Sequence, residues 1–62
     1  MKTVGEAIRE NKRKVKGIYL RSIRNGEVIE HYNDISEMSK STLSQATPGY
    51  TEVFGRVIID VF

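Results

Sequence analysis

The sequence predicts an α+β fold. One small domain spans residues 1–62, its elements run α-β-β-α-β, and its three strands form an antiparallel sheet. Three observations support this. Thr3-Val4-Gly5-Glu6 has the Thr-x-x-Glu spacing of a helix capping box. Asn25-Gly26 sits between two runs of strand formers, Gly17–Arg24 and Glu27–Tyr32, where a tight hairpin turn belongs. From Thr51 to Phe62, Val53, Gly55, Val57, Ile59 and Val61 alternate with the mixed set Glu52, Phe54, Arg56, Ile58, Asp60 and Phe62, as in a strand with one face on a core.

The first helix is expected over about residues 3–13. Val4, Ala7, Ile8, Asn11 and Val15 follow its spacing. Glu10 precedes Lys14 by four residues, the favourable orientation for an ion pair. Gly5 weakens the first turn. A hairpin over 15–32 follows. A two-residue Asn25-Gly26 turn would set Arg24 opposite Glu27, Ile23 opposite Val28, Ser22 opposite Ile29, Arg21 opposite Glu30, Leu20 opposite His31 and Tyr19 opposite Tyr32. Asp34 caps a second helix over about 34–45, with Ile35, Met38, Thr42, Leu43 and Ala46 on one face. That helix ends before Pro48, and Thr47-Pro48-Gly49-Tyr50 suits a type II turn. The third strand runs over 51–62, with a bulge or bend at Gly55. A right-handed crossover puts it beside the first strand, giving the order 2-1-3 with all strands antiparallel.

Composition narrows the function. The chain has no cysteine, which excludes a disulfide scaffold and any cysteine-ligated metal site. Its longest unbroken apolar run is Val57-Ile58-Ile59, too short to span a bilayer, so no membrane association is expected. No apolar stretch follows the charges of the N-terminus, so a cytoplasmic protein is expected. His31 is the only histidine, and no phosphate loop, dinucleotide fingerprint or metal-ligand spacing is present. The expected function is therefore non-enzymatic, without cofactor or metal. Two short helices leave much of a sheet uncovered, while Tyr19, Tyr32, Ile23 and Val28 load one hairpin face and Ile18, Leu20 and Ile29 the other. Phe54, Ile58 and Phe62 add to the surplus, which predicts a homodimer.

Charge is divided unevenly. Residues 1–24 hold eight basic residues against two acidic ones, a net of +6, and residues 25–62 hold two against six, a net of −4. The basic half predicts nucleic-acid contacts through Arg9, Lys12, Arg13, Lys14, Lys16, Arg21 and Arg24. Tyr19 or Tyr32 would add stacking beside them. The alternative is a small inhibitor or adaptor of the phage or mobile-element type, which binds a protein through its sheet edge or its charged surface.

Two short stretches resemble known families. Ser39-Lys40-Ser41-Thr42-Leu43-Ser44-Gln45 resembles the start of a recognition helix in helix-turn-helix repressors. Between Ile35-Ser36-Glu37-Met38 and Ser39 there is no room for that family's Gly-containing turn, so no such motif is assigned. Gly17-Ile18-Tyr19, followed by Asn25-Gly26-Glu27-Val28, looks like the opening of a GIY-YIG nuclease hairpin. Ile29-Glu30-His31 stands where the family's Tyr-Ile-Gly triplet belongs, so no nuclease activity is assigned.

Overall fold

A computed structural model of the chain describes residues 1–11 and 15–62. The elements are β1 (Lys2–Thr3), α1 (Val4–Glu10), β2 (Gly17–Ser22), β3 (Val28–Tyr32), a 3₁₀ turn (Ile35–Glu37), α2 (Lys40–Leu43), β4 (Ala46–Thr47), β5 (Tyr50–Val53) and β6 (Arg56–Val61). The fold is α+β, as expected. Its sheets have four and two strands, ordered β3-β2-β6-β5 and β1-β4, rather than the expected three.

The capping box forms. The Glu6 N–H donates to Thr3 Oγ1 at 3.2 Å, and the Thr3 N–H donates to Glu6 Oε1 at 3.1 Å. The helix stops at Glu10, because Asn11 is extended. Lys14 lies outside the described residues. Glu10 accepts Lys2 Nζ at 2.5 Å, which ties β1 to the last residue of α1.

The hairpin forms in a different register. Ile18 faces Tyr32, Tyr19 faces His31 and Leu20 faces Glu30, one residue away from the expected pairing. Ile29 is then an extra residue, because Arg21 faces Val28. The cause lies in the turn. A type I′ turn needs positive φ at both central residues, and here only Gly26 has it, at +73°. The loop closes wider, with the Gly26 N–H on the Ser22 carbonyl and the Ser22 N–H on the Glu27 carbonyl.

The second helix breaks in two. Asp34 accepts the Ser36 N–H and ends its role after one 3₁₀ turn. Met38 is extended, and Ser39 caps afresh by accepting the Thr42 N–H at 3.2 Å. Serine side chains compete in this way for backbone groups that a continuous helix would use internally. Met38 is buried and Ile35 and Leu43 pack on the core as expected, while Ala46 is exposed in β4. The expected type II turn at Thr47–Tyr50 is absent, since Gly49 lacks the positive φ it requires. Thr47 Oγ1 closes this bend by donating to the Gly49 carbonyl and accepting the Gly49 N–H.

The largest departure is at the C-terminus. Residues 51–62 are not one strand: β5 and β6 form a hairpin with Val53 opposite Arg56. Its two turn residues, Phe54 at φ +50° and Gly55 at φ +82°, supply the pair of positive φ values that a type I′ turn needs. A two-residue turn puts Val53 on the face of Arg56 and Ile58, away from Val57 and Ile59, so Val53 leaves the expected apolar face. The strand beside β2 is as expected, but β6 runs parallel to β2, with Ile18 opposite Val57 and Leu20 opposite Ile59. The segment after β3 crosses the whole sheet, so that Gly49 meets Asp60 at the far end. β5 then runs back down and β6 up again.

Val4, Ala7 and Ile8 of α1 and Met38 close on Ile18, Leu20, Val57, Ile59 and Val61. The total accessible surface is 4287 Å², against about 4,100 Å² expected for a monomer of this mass. The core therefore closes within one chain, and any surplus apolar area is confined to the surface. Among the described residues no helix is long and apolar enough to cross a membrane.

Candidate nucleic-acid interface

Both helices pack on the same face of the four-stranded sheet, and among the described residues no helix covers the other face. Strand alternation decides what that face carries. Opposite Ile18 and Leu20, β2 presents Gly17, Tyr19 and Arg21. The register adds His31 from β3, then Arg56, Ile58 and Asp60 from β6, then Thr51 and Val53 from β5. We call the end with Gly17 and Arg56 the lower end, and that with Ser22 and Val61 the upper.

The Tyr19 and His31 rings stack on this face, with centroids 4.6 Å apart and planes inclined by 16°. The register makes this pair: one residue's slip replaces the expected Tyr19–Tyr32 neighbours and turns Tyr32 to the core side. There Tyr32 packs against the core and its hydroxyl donates to Glu30, which raises the phenol above its ordinary range. Gly17 gives the Tyr19 ring its room, because a Cβ there would lie 3.2 Å from the ring.

Cations and a further aromatic gather at the lower end. Lys16 is exposed, and its N–H donates to the Gly55 carbonyl at 2.7 Å, which ties the β5–β6 turn to the start of β2. Arg56 is exposed directly opposite Gly17. Phe54, at the tip of the same turn, is 90% exposed in a backbone conformation that bulky residues rarely adopt. Neither Lys16 nor Arg56 makes an ion pair with another described residue.

Arg21 is on the same face but is committed elsewhere. Its Nε donates to Asp60 Oδ1 at 2.8 Å, across the β2–β6 register pair, and this contact raises the guanidinium further above its already high range. The other expected contacts do not join it. Arg9 is exposed on α1, in the helical layer behind the sheet. Arg24 lies in the β2–β3 turn at the upper end, roughly 20 Å along the strand from Lys16. Lys12, Arg13 and Lys14 lie outside the described residues. Of the four placed residues, then, only Lys16 and Arg21 are near the stacked rings, and of those two Lys16 makes no ion pair with another described residue.

Sequence reasoning missed Phe54, Arg56 and His31 as parts of one site. The expected register set His31 opposite Leu20, away from Tyr19. Phe54 and Arg56 read as one face of a continuous strand. The available signal was the Phe54-Gly55 pair in the middle of an apolar alternation, where Gly marks a break. Among the described residues, no group of three His, Asp or Glu side chains converges as a metal site requires. Comparison with known proteins finds no matching family model, no matching curated protein and no matching solved structure.

Proposed function

We propose that this protein binds single-stranded nucleic acid on the lower half of its open sheet face, without catalysing a reaction. The observation that carries the proposal is the stacked Tyr19–His31 pair on an uncovered sheet, bordered by Lys16, Arg56 and the exposed Phe54. Flat rings accept bases of any sequence, and nearby cations follow the phosphates. A duplex presents its bases only along groove edges, so this platform favours strands whose bases are unstacked. The basic residues Lys12, Arg13 and Lys14 precede Lys16 in the sequence and lie outside the described residues.

The test is fluorescence anisotropy with labelled single-stranded DNA and RNA at about 50 mM salt, repeated with rising salt. Tyr19→Ala should weaken binding by about 1–3 kcal/mol. Lys16→Glu should weaken it and flatten the salt dependence by about 0.7 per lost phosphate contact. Absence of binding, or binding indifferent to both substitutions, refutes the proposal. It would turn attention to β3, an edge strand exposed over four of its five residues, as the adaptor surface for a protein strand.

A further inference from the structure

The upper end of the open face has a different character. Ile23, Val28, Ile29 and Phe62 are each about half exposed, from 45% to 61%. The register draws Ile23, Val28 and Phe62 together, and Ile29 follows Val28 in the chain. Val28 faces Arg21, and the Ile23 N–H donates to the Val61 carbonyl, which puts Phe62 next to Ile23. Together they expose on the order of 400 Å² of apolar surface, near the largest patch a small monomer usually shows. Two charges flank the patch in the β2–β3 turn. Arg24 and Glu27 are both exposed, opposite in sign, and neither pairs with another described residue.

We propose that this end is a homodimer interface, in which two copies meet about a two-fold axis with Arg24 of each against the partner's Glu27. A two-fold interface uses one patch twice, so the patch must complement itself. An apolar centre bordered by Arg24 and Glu27, and by the internally paired Arg21 and Asp60, satisfies that requirement, and its charges cancel, unlike those of the Lys16 end. With a polar rim, each copy would bury roughly 500–600 Å², which places the pair at the lower limit of stable interfaces. The core already closes in one chain, so the monomer is folded and the association is reversible. Lys16, at the opposite end, stays uncovered in the dimer, while the stacked rings lie between the two ends.

Sedimentation equilibrium of the whole chain, without nucleic acid, tests this from about 1 µM to about 1 mM. The expected mass rises with concentration from 7.1 kDa towards twice that value. Val28→Asp should hold the monomer mass throughout while keeping the native circular dichroism, since this side chain is already half exposed. Arg24→Glu and Glu27→Arg should each lower the association constant at least about tenfold. The double variant R24E/E27R restores the reciprocal pairs and should recover it. A constant monomer mass for the native chain, association unchanged by Val28→Asp, or a charge-reversed double variant no tighter than the single variants overturns the interface.

Discussion

Phe54→Asn should move stability and binding in opposite directions. Phe54 holds φ at +50°, in the left-handed region, and is 90% exposed, so its ring contributes little burial in return. For residues with a Cβ that region costs about 1–2 kcal/mol, and asparagine tolerates it best of the non-glycine residues. Substitution should therefore stabilise the β5–β6 hairpin by about 0.5–1 kcal/mol. In a domain of this size that raises Tm by roughly 2–8 °C. Removing the ring should also weaken single-strand binding by about 1–3 kcal/mol, the usual contribution of one stacked base. Differential scanning calorimetry measures the first quantity and anisotropy titration the second. A rise in Tm with unchanged affinity would remove Phe54 from the site. A fall in Tm would refute the claim that the turn is strained there.

Three further outcomes follow from the same geometry. Asp60→Asn should release Arg21, costing about 1 kcal/mol of stability for a partly buried pair, and should tighten single-strand binding; unchanged or weaker binding would mean that Arg21 does not face the strand. Ile59→Ala, at a position with 0% exposure, should cost about 2–5 kcal/mol by urea denaturation, whereas Val53→Ala on the open face should cost under about 1 kcal/mol. The Glu6 carboxyl is held below its ordinary range by the Thr3 N–H, and that of Asp34 by the Ser36 hydroxyl. A lowered folded value stabilises the fold above the ordinary carboxylate range and is lost as pH falls through the folded value. The denaturation midpoint should thus hold constant between about pH 7 and pH 5, where both caps contribute in full, and should drop below about pH 4; Thr3→Ala should diminish the drop, and an unchanged acid profile in that variant would contradict the cap.

The features legible in the sequence are those made by neighbours along the chain. Thr3 and Glu6 close their cap within a single turn of helix, so spacing alone reveals it. Val57, Ile59 and Val61 alternate because their own strand requires it. Lys16 was legible as a charge and Tyr19 as a ring able to stack. Their combination into a site was not, because it depends on which strand lies beside which and in what register. Asn25-Gly26 permits two turns, one with both residues at positive φ and one with Gly26 alone. Choosing the second moves His31 next to Tyr19.

By itself, then, the sequence determined the α+β class, the capped first helix, the two strands of the first hairpin and the apolar side of the last strand. Only the tertiary structure decided that the C-terminal segment folds back at Phe54-Gly55 and that β6 runs parallel to β2. It also decided that both helices share one face of the sheet. The physical reason is the range of the forces that choose. Caps and alternation are settled within a few residues, while strand direction and register are settled by burial shared across the whole chain. A slip of a single residue moves every side chain of a strand to the other face. Here that choice buries Ile18 and Leu20 and leaves Tyr19, His31 and Ile58 together on the uncovered side.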